Sequence, residues 1–273
     1  MSYPTTTADR LIDDLCVKDK ADLLRLEEIA WTRGVLVNYE KLEGAEARLV
    51  TAKERGVITV SSTVSDSRRK RFSIAHELGH FELHKGRRGL SLCISQDIGG
   101  EPRQQPSHEF EEEANEFASA LLMPKRFFAP LCENDERSMA LISRLANDFS
   151  TSLTATALHY LKFCEDQVVV IYSEDNRIKW FRGSASFDTI RDDLGFFIDV
   201  RARLDTTTLA AKLFENPNLT FRKHKIDASC WFTPGKYRRD AMVVEDSISM
   251  PNYNAVLTLL WVDDSLEEDD VDW

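Results

Sequence analysis

From Ala8 to Trp31, apolar residues recur at helical spacing: Leu11 and Leu15, then Leu23, Leu26, Ile29 and Ala30, with Arg33-Gly34 ending the run. Three short stretches rich in β-branched residues follow, GVLVNYE, ARLVTA and GVITVSS, separated by charged, Gly-containing turns. They predict a small three-stranded sheet. Ser65, Asp66 or Ser67 is placed to cap a helix that runs to about Leu83. The next stretch, KGRRGLSLCISQDIGGEPRQQPSHE, is rich in Gly, Pro and polar residues and reads as a long loop, of the kind that is usually functional or mobile. HEFEEEANEFASALLMP is strongly helical and stops at Pro124, and RSMALISRLANDFSTSLTATALHYLKFC reads as two helices broken near Ser150.

After about Gln167 the pattern changes. VVVIYS and RIKWFRG flank the turn EDNR, as in a hairpin. TTTLAAKLFEN is helical, and KIDASCWFT, DAMVVEDSIS and NAVLTLLWV are strand candidates, so this half predicts an antiparallel α+β domain. The last eleven residues include seven acids and are expected to fray. The predicted organisation is a first domain over 1–165, with helix-turn-helix-like helices at about 137–165, an α+β domain over 166–263 and an acidic tail over 264–273.

The length of 273 residues fits two domains, and 42% hydrophobic residues suffice for a core. A formal net charge of −11 disfavours nonspecific coating of nucleic acid, which depends on Lys and Arg. Five scattered cysteines without a CxxC pair argue against a disulfide framework and for a reducing compartment. With no signal-peptide pattern and no apolar run long enough for a membrane span, the expectation is a cytoplasmic protein without membrane attachment.

The stretch RRKRFSIAHELGHFELHKG carries the candidate chemistry. His76 and His80 lie four apart, so one helical turn puts both imidazoles on one face, within reach of a single ion. Zinc suits imidazole, and the adjacent Glu77 is placed as general base in such helices. Gly79 would let another backbone pack closely. A catalytic site needs a third protein ligand, and the acidic helix offers Glu109, Glu111, Glu112, Glu113 and Glu116. In a gluzincin arrangement one helix carries the ligating Glu and, four residues later, an Asp or Asn that orients a ligating histidine. Glu111 and Asn115 have that spacing, whereas Glu112 and Glu116 form a like-charge pair that belongs in solvent. A bare HExxH also fits a core histidine beside a surface glutamate, and it is the second helix that favours the metal site.

RFSIAHELGHFELH followed by EEEANEFASALLMP resembles the ImmA/IrrE family of bacterial metallopeptidases. ITVSSTVSDSRRKRF upstream and LANDFSTSLTATALHYL downstream are also similar, and the resemblance spans about Ala21 to Cys164. It implies a gluzincin-like domain with a helical subdomain, zinc ligands at His76, His80 and Glu111, and a catalytic base at Glu77. It further implies a zinc-dependent endopeptidase that cleaves a helix-turn-helix (XRE-like) repressor and so releases a stress or anti-phage operon. The C-terminal half looks like the GAF-like sensor domain of two-domain members. It is most similar to the CapP-type branch of anti-phage operons, which responds to single-stranded DNA, with the IrrE/PprI radiation-response branch as near alternative.

Some residues keep two readings. Cys93 is either a small apolar residue in LSLCI or an inhibitory zinc ligand filling the open coordination position. His84 suits helix packing or support of a ligand better than ligation. His84, Tyr39, His108 and His159 are all candidates for stabilising an oxyanion. The basic run Arg68–Arg71 is either a solvated helix start or a contact for nucleic acid or an acidic substrate. KWFRG, FRKHK and KYRR mix cations with aromatics, as single-strand binders do. The competing function is a DNA-binding transcriptional regulator with a structural zinc site, against which its would-be recognition helix has no cation before Lys162.

Overall fold

In the computed structural model, the run from Ala8 to Trp31 is two helices, not one: α1 (Tyr3–Asp14) and α2 (Leu26–Thr32). The chain turns at Cys16, whose φ is 51°. Beyond it, Asp22 accepts the amides of Lys18 and Asp19, and Asp19 accepts those of Ala21 and Asp22. Such local side-chain bonds compete with helix propagation, and apolar spacing alone does not register them. The structure describes residues 2–84, 90–93, 106–133, 136–194, 197–219, 223–233 and 241–262, with the side chains of 90–93, 106–108, 190 and 192–194 outside that description. The acidic tail and the KYRR cluster lie outside the described residues.

The chain folds as two units: Met1–Leu131 with Leu145–Ala155, and Cys132–Arg144 with Thr156–Trp273. In the first unit the three expected strands are present as β1 (Val35–Glu40), β2 (Ala47–Ala52) and β3 (Arg55–Ser61). Gly34 (φ 80°) ends α2, and a Cβ there would lie 3.1 Å from the Glu54 carbonyl oxygen. The sheet has a fourth strand, β4 (Leu90–Cys93), inside the stretch read as a continuous loop, and the order is β1-β3-β2-β4. Strands β1 and β3 are parallel; β2 runs antiparallel to both β3 and β4. Four residues amid glycines and polar residues are too short a run for alternation to stand out.

Helix α3 (Ser67–Leu83) packs on β2 and β3, and α4 (Pro106–Leu122) packs on α3 and α1. Asp66 caps α3 by accepting the amides of Arg68 and Arg69. Every residue from Ser73 to Glu82 is buried, so this stretch is enclosed on all sides. Pro124 is followed by α5 (Lys125–Glu133), which the apolar pattern did not disclose. Helices α6 (Met139–Asp148) and α7 (Leu153–Tyr160) are broken at Ser150, whose φ is 52°.

The second unit holds an antiparallel five-stranded sheet in the order β6-β5-β9-β8-β7. Its strands are β5 (Val168–Glu174), β6 (Arg177–Gly183), β7 (His224–Asp227), β8 (Met242–Met250) and β9 (Ala255–Val262). The β5–β6 turn places Asp175 and Asn176 at φ 52° and 58°, as a two-residue turn of matching twist requires. Helices α8 (Ala185–Leu194) and α9 (Leu209–Glu215) supply Phe187, Leu209 and Leu213 to a core shared with Val169, Ile171, Val243 and Leu260. The molecule is thus mixed α and β, as expected.

Candidate metal centre

On α3, His76 and His80 are one turn apart, 0% and 8% exposed in their side chains, with rings edge to face at 4.7 Å. Helix α4 reaches them because residue 79 is glycine. A Cβ there would lie 3.0 Å from Phe117 Cδ1 and 3.2 Å from both Cα and the carbonyl oxygen of Ala114. The close approach read from Gly79 therefore has a named neighbour, and it carries Glu111 over the imidazoles.

His76 Nε2 is 3.1 Å from His80 Nε2 and 3.0 Å from Glu111 Oε2, and His80 Nε2 is 3.3 Å from Glu111 Oε1. Atoms held by one tetrahedral ion at about 2.0–2.1 Å lie roughly 3.3–3.4 Å apart. The triangle is thus near the size a zinc ion requires, and two imidazoles plus a carboxylate form a donor set of the right kind. These three residues could hold a metal ion, and they are the one such group among the described residues. Burial by itself would raise the Glu111 carboxyl, but hydrogen bonds with His76 and His80 outweigh it and hold it at about 2. Glu77 is fully buried beside His76.

The outer nitrogens of both histidines are engaged. His76 Nδ1 is 2.9 Å from Asn115 Oδ1. His80 Nδ1 is 3.1 Å from Nδ1 of His84, whose Nε2 is 2.9 Å from Glu113 Oε2. Bonds of this type fix ring orientation in metal sites. Sequence reasoning passed over Glu113. It stood among the candidate ligands, but two residues from both Glu111 and Asn115 it lies off their helix face, so no spacing linked it to His84.

Glu116 is not in solvent: its carboxylate accepts the hydroxyls of Ser2 and Thr5 at the start of α1. Tyr39 donates to Glu27 at 2.5 Å, and burial first, then this bond, raises its phenol to about 12. The basic run is not a solvated helix start. Arg68 bonds Asn147, Arg69 pairs with Glu46, Lys70 sits over the Tyr39 ring, and Arg71 donates to the carbonyls of Leu23 and Leu24. Cys93 ends β4 opposite Ala47, but its side chain lies outside the described residues, as does that of His108. His159 belongs to the second unit, 5% exposed, with its ring 5.1 Å from Phe163.

In the second unit, Trp180 stacks on Tyr172 at 5.3 Å and 4°, next to the exposed Arg182. Lys223 pairs with Glu136 and lies over Trp261. On β8, Glu245 accepts the amides of Leu209 and Ala210, and Asp246 accepts that of Met139. No described helix is long and apolar enough to cross a membrane.

Comparison with known proteins bears on the first half. Residues 31–159 match the family model of the IrrE N-terminal-like domain, a peptidase family. No curated protein matches the chain. Among solved structures, a Mycobacterium tuberculosis transcriptional regulator superposes with a TM-score of 0.60 at 14% identity, over 100% of this chain and 92% of that one. At that identity the likeness bears on fold alone.

Proposed function

We propose that the chain, with its IrrE N-terminal-like domain, is a zinc-dependent endopeptidase that cuts a helix-turn-helix (XRE-like) repressor and thereby releases a stress or anti-phage defence operon. The observation that carries the reading is the convergence of His76, His80 and Glu111 beside a buried Glu77. A zinc ion supplies Lewis acidity and makes water acidic enough to ionise near neutral pH. His76, His80 and Glu111 would hold it, with Asn115 Oδ1 meeting Nδ1 of His76 to fix its ring. Glu77 takes a proton from the attacking water and hands it to the leaving amine. Two imidazoles and a carboxylate also suit manganese and iron, so metal analysis of purified protein belongs with the activity assay.

The repressor as substrate rests on the resemblance to the ImmA/IrrE family and on the matched domain. The C-terminal half is proposed as a GAF-like sensor over about 166–263, answering single-stranded DNA. The stacked Tyr172–Trp180 pair beside Arg182 supports that reading, since bases stack on such platforms. The metal would sit in a peptidase domain over 1–165. Cys93 as an inhibitory ligand predicts a Cys93→Ala variant with raised basal activity.

The test is to incubate the protein and zinc with a small helix-turn-helix repressor, the first choice being any such protein encoded beside it. A discrete fragment that is absent with Glu77→Gln is the expected result; an intact repressor under all conditions, including added single-stranded DNA, defeats the proposal. The competing reading is a DNA-binding transcriptional regulator with a structural zinc site. Against it, Thr156 on α7, the helix that would read DNA, is 0% exposed, and Thr151 just before that helix is 3% exposed.

A further inference from the structure

The two histidines of the centre are braced by different chemistry. His76 meets a neutral amide oxygen, Asn115 Oδ1, at 2.9 Å. His80 instead heads a chain of two further groups, His84 and Glu113, at 3.1 and 2.9 Å. A bond between two imidazole nitrogens needs one N–H and one lone pair. When His80 turns the lone pair of Nε2 toward the triangle, its proton is on Nδ1. His84 Nδ1 must then accept, which places the proton of His84 on Nε2, where Glu113 Oε2 accepts it. With both rings neutral, this assignment pairs a donor with an acceptor in both contacts of the His80–His84–Glu113 chain, and it leaves the Nε2 lone pair of His80 toward Glu111 Oε1, a contact that a metal ion rather than a proton would satisfy. The reverse sets the Nε2 lone pair of His84 against a carboxylate oxygen and puts the His80 proton on Nε2, where the metal would bind. The ring of Phe110 lies edge-on to His84 at 4.8 Å and 81°, keeping the imidazole in line.

We propose that Glu113, acting through His84, is a positioning residue that holds His80 in the tautomer able to ligate a metal ion. The inference rests on the metal-centre reading above and adds to it the reason for a third histidine, at the C-cap of α3. Glu113 touches neither the ion's position nor the other two ligands in any contact that the structure gives. Its side chain is 33% exposed, so replacing it does not open a hole in the core.

The experiment is zinc affinity of the full chain at fixed pH, by competition with a chromophoric chelator, beside the melting temperature of the metal-free protein. Glu113→Ala is expected to weaken zinc binding about 10- to 100-fold with the metal-free melting temperature unchanged. Glu113→Gln keeps an oxygen acceptor for His84 and is expected to recover most of that loss. His84→Leu is expected to weaken binding by a similar factor, and adding Glu113→Ala to it is expected to change nothing more, because Glu113 acts only through the ring that has been removed. Wild-type affinity in Glu113→Ala overturns the proposal. So does an equal loss in Glu113→Gln, which would assign the effect to charge, and so do independent, additive losses in the double variant. Wild-type protein that takes up no zinc overturns the metal-centre reading itself, a failure distinguishable from the others.

Discussion

Each unit buries a carboxylate beyond the reach of water, and the two are set in different company. Glu245 on β8 is 0% exposed, and its oxygens face the amides of Leu209 and Ala210, the indole of Trp231 and the hydroxyl of Ser247. It caps α9 and ties that helix to the sheet. Glu77 on α3 is also 0% exposed, but it lies mid-helix, between two histidines whose inner nitrogens meet on Glu111. Burial of an acid is therefore not in itself a sign of function. What separates the two is that backbone amides hold Glu245, whereas Glu77 sits next in sequence to a histidine of the candidate metal centre.

That contrast can be broken by substitution. Glu77→Gln is expected to lower the cleavage rate by about 10²–10⁴-fold, a general base's usual share, while zinc content and melting temperature stay as in wild type. A rate that survives would put Glu77 with Glu245 as a piece of scaffold. Glu245→Ala is expected to do the opposite, costing roughly 2–4 kcal/mol of stability by leaving the start of α9 unpaired in the interior, with zinc affinity of surviving folded protein intact. Chemical denaturation followed through Trp231 fluorescence measures it. Gly79→Ala tests the approach of α4. Its methyl meets Phe117 and the Ala114 backbone at 3.0–3.2 Å, so a loss of about 1–3 kcal/mol is expected together with weaker zinc binding. Strengthened or unchanged binding would mean the helices need not be this close.

The smallest expected effect is on pH dependence. Burial raises the Glu245 carboxyl above 4.5, despite the bonds that lower it. A raised carboxyl binds its proton more tightly folded than unfolded, so its contribution to stability is full below its ordinary value and falls as pH rises toward the folded one. The melting-temperature gap between wild type and Glu245→Gln should narrow as pH rises from about 4 to neutral. A gap that widens would show the amide bonds outweighing burial.

Most regular elements were legible because their signals were local: β-branched runs for β1 to β3, the cluster of capping residues at 65–67 from which Asp66 is the one used, and the Pro124 stop. What escaped depended on partners distant in sequence. Strand β4 exists because Ala47–Val50 offers an edge to four residues of a polar stretch. Charged residues assigned to solvent, Glu116 and Arg68–Arg71, were met by groups far along the chain. The histidine spacing gave the face of α3, and Gly79 the closeness of α4. The Glu113–His84 chain needed three dimensions, since five acids on one helix differ little until their neighbours are known.

The chain enters the second unit at Cys132, returns to the first at Leu145, and leaves it again after Ala155. No single scissor cut in the gene therefore separates the halves. A truncation at residue 165 would keep the segment 132–144 but strip from the Met139 amide the Asp246 carboxylate that receives it. Anyone seeking the half with the candidate metal centre in isolation should expect an orphaned, sticky insert, and would do better to leave the polypeptide whole and silence one half by point substitution.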